Sequence, residues 1–389
     1  MKVYLKRGRE SSVKRFHQWI FSGAIKQVDG NVCDGDIVEI YSAEREFLGR
    51  GHWQSGSIAV RILTFDDEQI DRQFFINRIS DAHRLRAKAG LTNSLDTSAY
   101  RLVHGEGDSL SGLVVDLYGD TAVMQAHSPG MWRQREAIAE ALQEVCKPVK
   151  CVYNKSSGTL QGTDFAVRDG VLAGDANFPL LVCENGNLFE INPEQGQKTG
   201  FFIDQRENRR LLQGYARGAS VLNLFCYTGG FSVYALRGEA RQIVSVDSSA
   251  KAIEAANRNM KLNFGASAPT GALADAFTFL KNTDEKYNLI ILDPPAFAKH
   301  HSAVGNALQA YKRLNAKAME KLSSGGVLFT FSCSQAVSEQ QFVETVFSAA
   351  AISGSEIKIL HHLHQPADHP INIYHPEGNY LKGLAVYKT

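Results

Sequence analysis

The alternation of apolar and polar residues divides the chain into regions with different periods. In the first 70 residues, the runs 37–41, 47–51 and 58–63 are short, rich in β-branched residues and separated by turn residues. This alternation is typical of strands in a small β-barrel. From 71 to 90, apolar residues recur at helical spacing among Arg and Lys, which predicts an amphipathic helix after an all-β domain.

The middle region mixes the two periods. Strands are predicted at 113–117 and 121–125, and a single helix is predicted at 131–145. These elements indicate a small α+β domain over 71–188. It carries no catalytic constellation, so a spacer, a dimerisation surface and an RNA contact all stay open as its role.

After residue 188 the pattern becomes apolar strand, short loop and amphipathic helix, repeated. Strands are predicted at 220–225, 242–246, 289–292 and 327–331, and helices at 231–237, 250–262, 307–321 and 339–351. Such alternation predicts a doubly wound, mainly parallel sheet. The late runs 358–363 and 380–387 are expected to form an antiparallel pair at one edge. The fold class is therefore multidomain α/β.

Composition narrows the setting in which the protein works. No stretch approaches the roughly 18 uninterrupted apolar residues of a membrane span, and the amino terminus lacks the apolar core of a secretory signal. The expectation is a soluble, cytoplasmic protein. Its formal net charge is +1, from 42 basic and 41 acidic residues, so attraction to nucleic acid must come from local patches.

One basic patch opens the chain. Six of the first fifteen residues are Lys or Arg, including Arg7 and Arg9, and aromatic residues such as Trp19 lie among or just after them. This composition suits phosphates and stacked bases, although a solvated basic face is an equally simple explanation.

Cysteine and histidine usage does not favour a metal site. The six cysteines include no C-x-x-C pair, which argues for reduced thiols and against structural zinc. Five histidines lie between residues 361 and 375, but no carboxylate or thiol accompanies them at ligand spacing. No metal is expected.

Glycines and an acid at consecutive strand ends indicate a cofactor site. The first strand of the third region is followed by Gly229 and Gly230, and the second ends at Asp247. Paired glycines let backbone approach a ligand, and the carboxylate can accept hydrogen bonds from two ribose hydroxyls. The G-x-G-x-x-G loop of nicotinamide dehydrogenases is absent. This favours a cofactor without a pyrophosphate, S-adenosylmethionine (SAM), over a dehydrogenase cofactor or a plain turn.

Two further strand ends carry candidate chemistry. Asp293, Pro294 and Pro295 follow the fourth strand, and Cys333 follows the fifth. Carbon 5 of cytosine needs a thiolate at carbon 6 before it can accept a methyl group, and Cys333 is suited to that role. Asp293 would hydrogen-bond the cytosine ring. The alternative is that Cys333 is only a buried packing residue.

These residues, with the stretches 17–24, 198–206, 331–334 and 367–370, closely resemble the bacterial 23S ribosomal RNA large subunit cytosine-5 methyltransferase family. The resemblance covers almost the whole chain. It implies a PUA domain at 1–70, a central α+β domain at 71–188 and a Rossmann-like class I methyltransferase domain at 189–389. It also implies SAM as cofactor and 23S ribosomal RNA as partner, with no membrane; a homodimer stays open.

The resemblance assigns further site residues. Those implied to contact the cofactor are Lys198, Thr199, Gly200, Phe202, Asp204, Arg206, Asn223, Phe225, Thr228, Gly229, Asp247, Ser248, Asp275 and Asp293. Those implied to contact RNA are Pro294, Pro295, Phe297, Arg7, Arg9 and Trp19. Cys333 corresponds to the family's nucleophile and Asp293 is its catalytic partner.

Two rival functions follow from the same residues. Methylation of an exocyclic base nitrogen usually requires an aromatic residue directly after D/N-P-P, whereas here Ala296 precedes Phe297. An RNA-binding assembly factor without turnover would not need an intact Asp247, Asp293 and Cys333.

Overall fold

The computed structural model describes residues 1–163, 165–298 and 300–389. The chain divides into two compact units. The first comprises Met1–Cys183, Ile191–Ile203 and Ala367–Gly378, and the second comprises Glu184–Glu190, Asp204–Pro366 and Asn379–Thr389.

The first unit begins with an all-β region, as the alternation predicts. Its strands are β1 (Lys2–Leu5), β2 (Trp19–Phe21), β3 (Ile25–Asp29), β4 (Ile37–Tyr41), β5 (Phe47–Trp53) and β6 (Ile58–Thr64). They form one sheet in the order β2-β6-β5-β4-β1-β3, in which only β1 and β4 run parallel. One face of the sheet buries alternate side chains such as Val3, Ile40 and Ile62 in a common core.

A second sheet follows the predicted amphipathic helix. Its elements are α1 (Arg72–Lys88), β7 (Ala99–His104), β8 (Leu113–Tyr118), β9 (Thr121–Ala126), α2 (Pro129–Arg133), α3 (Arg135–Val145), β10 (Cys151–Asn154) and β11 (Gly170–Ala173). Asp71 caps α1 by accepting a hydrogen bond from the Phe74 amide at 3.0 Å. The sheet order is β11-β10-β9-β8-β7. The α+β prediction for this region is confirmed.

The single helix predicted at 131–145 is wrong, because the structure has two helices that meet at Gln134. Gln134 has φ −91° and ψ 6°, which departs from helical geometry, although its amide still donates to Gly130 O at 3.2 Å and its carbonyl accepts from the Ile138 amide at 2.9 Å. Arg135 compensates for the break, since its Nη1 donates to the Trp132 carbonyl at 3.1 Å and its guanidinium lies 4.5 Å from the Trp132 ring centroid. Ser128 caps the first helix and Pro129 starts it two residues earlier than predicted.

A late segment of the chain, Ala367–Gly378, belongs to the first unit. Asp368 is fully buried there; its Oδ2 accepts from the Arg101 amide at 2.9 Å and its carbonyl accepts from Arg86 Nη2 at 2.7 Å. Arg86 in turn forms a buried, two-pronged ion pair with Asp108. The chain therefore returns to the first unit after forming most of the second.

The second unit contains the alternating region. In chain order its elements are α4 (Arg206–Gln213), β14 (Ser220–Leu224), α5 (Gly230–Arg237), β15 (Gln242–Asp247), α6 (Ala250–Phe264), β16 (Ala272–Leu273), α7 (Ala276–Asn282), β17 (Tyr287–Leu292), α8 (Val304–Lys321), β18 (Leu322–Ser332), α9 (Glu339–Ser353), β19 (Ile357–His364) and β20 (Lys382–Lys388). Before them, β12 (Leu180–Glu184) and β13 (Asn187–Ile191) form a two-stranded sheet.

The seven strands β14 to β20 form one sheet in the order β16-β15-β14-β17-β18-β20-β19. All neighbouring pairs are parallel except those of β20, which is antiparallel to both β18 and β19. The central strands β14 and β17 are almost entirely buried, as parallel strands covered on both faces must be. The predicted doubly wound sheet with a late pair at one edge is confirmed. Among the helices of the described residues, none is long and apolar enough to cross a membrane.

Candidate active site

The candidate site lies at the carboxyl ends of the central strands of the second unit. Strand β14 has β15 on one side and β17 on the other, so the strand order reverses beside it. Leu224, its last residue, is paired with Val246 and with Leu292. The residues that follow these three positions therefore meet at one edge, where doubly wound sheets bind their ligands.

The loop after β14 has an unusual backbone. Phe225 (φ 61°), Tyr227 (φ 47°) and Gly229 (φ 78°) are all left-handed, and two of them are not glycine. Left-handed non-glycine residues cost about 1–3 kcal/mol each and persist only where their surroundings hold them. Here the holding groups are visible: the Cys226 amide donates to Val246 O at 3.0 Å and Asn259 Nδ2 donates to Thr228 O at 2.9 Å.

Asp247 is fixed in place by backbone amides. Its Oδ2 accepts from the Tyr227 amide at 3.0 Å and its Oδ1 accepts from the Ser249 amide at 2.9 Å. The side chain is half-buried, and each carboxylate oxygen can accept more than one hydrogen bond. A carboxylate that is fixed in this way and can only accept hydrogen bonds is suited to bind the two hydroxyls of a ribose. The sequence predicts this role for Asp247.

Gly229 and Gly230 place the start of α5 close to its neighbours. A Cβ on Gly229 would lie 3.1 Å from Ala256 Cβ, and one on Gly230 would lie 3.1 Å from Arg209 Cδ. Arg209 is itself buried, with Nε and Nη2 donating to the two oxygens of Glu184 at 2.8 and 2.7 Å. Burial opposes the charge on Arg209, but the Glu184 carboxylate raises its pKa. Gly230 thus packs against a buried ion pair, whereas Gly229 packs against Ala256 on α6.

Three other predicted cofactor residues lie near these strand ends in different environments. Asn223 is buried, and its Nδ2 donates to Ser232 Oγ at 2.8 Å. Asp275 is exposed and caps α7. Ser248 is exposed directly after Asp247. Contact of these three side chains with the cofactor stays a prediction.

Asp293 and Cys333 share the same sheet edge. Leu292 pairs with Thr330, so Asp293 follows the paired position by one residue and Cys333 by three. Both side chains are half-buried, whereas Pro294 is buried and Pro295 is exposed. A half-buried thiol at this edge is compatible with attack on a ligand.

The residues on either side of Cys333 are locked. Ser332 and Ser334 are fully buried; Ser332 Oγ donates to Tyr311 Oη at 3.0 Å, and Tyr311 Oη lies 3.0 Å from Ser334 Oγ. Ser334 Oγ also accepts from the Ala298 amide at 3.3 Å, which ties this loop to the one that carries Asp293. The sequence predicts neither Tyr311 nor this network.

The second cysteine of the region differs from Cys333. Cys226 is buried against Ile253 and Ala256, and burial raises the pKa of its thiol. Cys226 is therefore a packing residue. Phe297, which the resemblance implies contacts RNA, has its ring centroid 4.7 Å from that of Tyr311 and is partly buried beside the core.

The predicted stretch 198–206 divides between the two units. Lys198, Thr199, Gly200 and Phe202 lie in the first unit, and Asp204 and Arg206 lie in the second. In the first unit, Lys198 is exposed with its Nζ 4.9 Å from the Phe202 ring centroid, and Thr199 Oγ1 donates to Asp116 at 2.6 Å.

In the second unit, Asp204 Oδ2 accepts from Tyr380 Oη at 2.6 Å, and the largely buried Arg206 pairs with Glu207 at 3.1 Å. Asp204 is therefore tied to a residue near β20.

Three of the predicted RNA residues, Arg7, Arg9 and Trp19, lie in the first unit. Arg9 and Trp19 line a cavity of about 230 Å³ together with Phe21. Arg7 is exposed and lies 3.5 Å from Glu44. Trp19 Nε1 donates to Glu106 at 2.8 Å, and the Arg61 guanidinium lies 5.3 Å from the centroid of the indole ring.

Histidines gather in the first unit in a way that sequence spacing does not anticipate. Nitrogen and oxygen atoms of His17, His375 and Glu377 lie within 4.8 Å of one another, a separation that could hold a metal ion. His375 is buried and its ring is 4.4 Å from that of Trp19. The absence of a metal stays a prediction.

Comparison with known families identifies both ends of the chain. Residues 167–375 match a family described as S-adenosylmethionine-dependent methyltransferase, and residues 3–65 match one described as PUA-like domain. Relatives match over the full length: ribosomal RNA large subunit methyltransferase I of Aeromonas hydrophila is 41% identical and that of Tolumonas auensis is 40% identical, each covering 99% of this chain and 98% of the relative. The chain belongs to the ribosomal RNA large subunit methyltransferase I family.

Membership of this family settles the fold and the cofactor. A protein assigned as a methyltransferase and solved in complex with SAH, the demethylated form of SAM, has a TM-score of 0.87 and 25% identity over 100% of both chains. The cofactor is SAM, as the glycine pair and Asp247 predict, and the dehydrogenase alternative is excluded. The PUA-like domain predicted at the amino terminus is confirmed.

Proposed function

We propose that this protein methylates carbon 5 of a cytosine in 23S ribosomal RNA, with Cys333 as the nucleophile. The observation that carries the proposal is the shared sheet edge, where a half-buried thiol and the Asp293 carboxylate follow paired positions of neighbouring strands. The relatives named as ribosomal RNA methyltransferases support the substrate class. Such a substrate is cytoplasmic in bacteria.

Bound SAM supplies a methyl group on a positively charged sulfur. The Cys333 thiolate adds to carbon 6 of the cytosine, which forms an S–C6 bond and makes carbon 5 nucleophilic. Carbon 5 would take the methyl group as the bond from that group to the sulfonium sulfur breaks, which would leave SAH. A base then removes the carbon 5 proton, the S–C6 bond breaks, the C5–C6 double bond returns and the thiolate is released. The protein is unchanged at the end.

Asp293 supports the addition step in this proposal. A carboxylate can accept a hydrogen bond from the amino group of cytosine, and the same contact orients the ring over Cys333. Pro294 and Pro295 restrict the loop that carries Asp293 because their φ angles are fixed. Phe297 would then help to hold the base from the same loop.

We assign the remaining cofactor contacts from the resemblance of the sequence to the cytosine-5 methyltransferase family. Asp247 and Ser248 hold the ribose, Asp275 lies by the adenine, and Asn223, Phe225, Thr228 and Gly229 surround the centre of the molecule. The stretch 198–206 borders its methionine end.

We further infer that the chain works as three functional parts, 1–70, 71–188 and 189–389. In this division Arg7, Arg9 and Trp19 dock RNA on the PUA-like part. The cavity lined by Arg9 and Trp19 supports an RNA-docking role for the PUA-like part.

The test uses labelled SAM and under-methylated ribosomal RNA. Wild type should methylate carbon 5, Cys333→Ala should not, and Cys33→Ala should match wild type because that thiol is exposed and belongs to the first unit, outside the sheet that carries Cys333. Wild type should also form a covalent adduct with RNA containing 5-fluorocytidine, since fluorine blocks proton removal. Carbon 5 methylation by Cys333→Ala would overturn the nucleophile assignment.

The same experiment separates the rival functions. Nucleoside mass spectrometry that finds the methyl group on an exocyclic nitrogen would replace the carbon 5 proposal. Tight SAH binding without methyl transfer to any RNA would favour an assembly factor.

A further inference from the structure

A buried lysine lies directly behind the loop that carries Cys333. Lys382 is the first residue of β20, and its Cα is paired with that of Ser332, the residue before Cys333. Its side chain is only 5% exposed. Nζ donates to the Ser334 carbonyl at 2.8 Å and to the Val337 carbonyl at 2.7 Å. One ammonium group therefore fastens both ends of the loop that follows the cysteine.

The charge of this lysine is poorly balanced. Among the described residues, no Asp or Glu oxygen lies within the 4.0 Å of an ion pair with Lys382. Burial lowers its pKa to about 8, and negative charge on Cys333 or Glu339 opposes that lowering. Glu339 is instead 3.1 Å from His362 on β19. The Lys382 ammonium is therefore poorly solvated. Cys333 and Glu339 are the two groups whose negative charge favours its protonated form.

The opposite side of the loop is held by Tyr311. Its hydroxyl contacts both serines that flank Cys333, and burial raises its pKa, so it stays a neutral partner. The loop is thus gripped by a neutral phenol on α8 and by an ammonium on β20. Only the second can favour a negative charge on sulfur.

We propose that Lys382 is a positioning residue for Cys333: its ammonium holds the 334–337 loop and stabilises the Cys333 thiolate, a role that rests on the proposed function. An attractive charge in a medium of low dielectric favours the ionised form of a thiol. The lysine does not need to touch the RNA or the cofactor to act in this way.

The test measures thiol reactivity without RNA or cofactor. Alkylation of Cys333 by iodoacetamide is followed by peptide mass spectrometry from pH 6 to 10. Lys382→Met should raise the apparent pKa of this thiol, so that alkylation at neutral pH slows about tenfold for each unit of the rise. Lys382→Arg retains the charge and should restore most of the reactivity.

The chain supplies a matched control on the same strand. Lys388 also donates to two main-chain carbonyls, Met319 O at 2.8 Å and Leu322 O at 3.1 Å, and burial also lowers its pKa. It lies at the other end of β20, so Lys388→Met should leave Cys333 alkylation unchanged. If Lys382→Met does not fold, Lys382→Gln provides an amide that can still donate to the carbonyls but carries no charge.

The outcomes distinguish this inference from the proposed function. If Cys333 in a folded Lys382→Met or Lys382→Gln protein is alkylated at the wild-type rate, the proposed role of Lys382 is overturned, whatever Cys333 does in catalysis. A slowed alkylation together with intact methylation by Cys333→Ala would overturn only the proposed function. If both proposals hold, Lys382→Met should lower kcat for methylation while SAH affinity and the KM for RNA stay close to wild type.

Discussion

Substitution of Gly229 tests how closely the loop after β14, residues 225–229, packs against α6. In Gly229→Ala, the new Cβ would lie 3.1 Å from Ala256 Cβ and 3.2 Å from Ala256 Cα, in a residue with φ 78°. A left-handed alanine costs about 1–2 kcal/mol. Overpacking against a helix that cannot move adds about 1–3 kcal/mol. The sum predicts a loss of about 2–5 kcal/mol in the free energy of unfolding.

Gly354 separates these two contributions. It is also left-handed, with φ 62° and ψ 26°, but a Cβ there would meet nothing within 4 Å. Gly354→Ala should therefore lose only the backbone part, about 1–2 kcal/mol. Urea unfolding of the two variants gives the difference, and calorimetry with SAH gives the affinity. We expect SAH binding to weaken at least about tenfold in Gly229→Ala, the equivalent of 1.4 kcal/mol, and to be unchanged in Gly354→Ala.

A double variant identifies the cause. Adding Ala256→Gly removes the 3.1 Å contact with Gly229→Ala but keeps the contact with Cα, so part of the stability should return relative to the sum of the single changes. The helix glycine itself costs about 1 kcal/mol and is measured separately. Equal losses in Gly229→Ala and Gly354→Ala, with SAH affinity intact in both, would show that the close approach to α6 has no role.

Three further changes test other parts of the structure. Asp247→Asn leaves an amide group facing backbone donors, and the loss of one charge-assisted hydrogen bond, about 1.5–3 kcal/mol, should weaken SAH binding roughly 10- to 100-fold by calorimetry; unchanged affinity would contradict the ribose role. His52 is buried and its pKa is lowered to about 4 by burial, so the unfolded state binds the proton first as pH falls from 6.5. About 3 kcal/mol of stability should be lost between pH 6.5 and 4 in wild type but not in His52→Leu, and parallel pH profiles of the two proteins in urea would count against this. Arg86→Met leaves Asp108 buried without its cation and should cost about 3–5 kcal/mol in urea unfolding; a loss below 1 kcal/mol would mean that the pair is not buried as described.

The sheet edge that carries the candidate cofactor residues could be predicted from sequence because the signals are local. A strand that ends in glycines and a second strand that ends in an acid, here Gly229 and Asp247, occupy the edge that every doubly wound sheet uses. The mainly parallel arrangement of the sheet follows from the alternation of strands and helices. For the same reason the strand pattern alone predicts that Asp293 and Cys333 lie at one edge.

The residues that support the Cys333 loop could not be predicted in this way. Lys382 meets the Cys333 loop only because β20 inserts between β18 and β19, a pairing across about fifty residues. A lysine within the apolar run 381–386 was the one available signal, since a charge in a buried strand needs a partner. Tyr311 looks like any core aromatic on a helix until its hydroxyl is seen between two serines.

Local signals also failed in the first unit. The helix break at Gln134 lies beside a hydrogen bond from Arg135 to the Trp132 carbonyl, and periodicity reveals neither. The group of His17, His375 and Glu377 joins residues that are more than 350 positions apart. Sequence patterns predict helices and strands, whereas contacts between residues distant in sequence form only when the chain folds.

The insertion of β20 also sets when a newly made chain can become reactive. Until residues 382–388 have emerged from the ribosome, β18 has an open edge. The loop that carries Cys333 then lacks its hydrogen bonds to Lys382. A polypeptide interrupted shortly after Cys333 would bear all the residues assigned to methyl transfer and still lack an ordered nucleophile. Incomplete chains should therefore be harmless to the RNA around them.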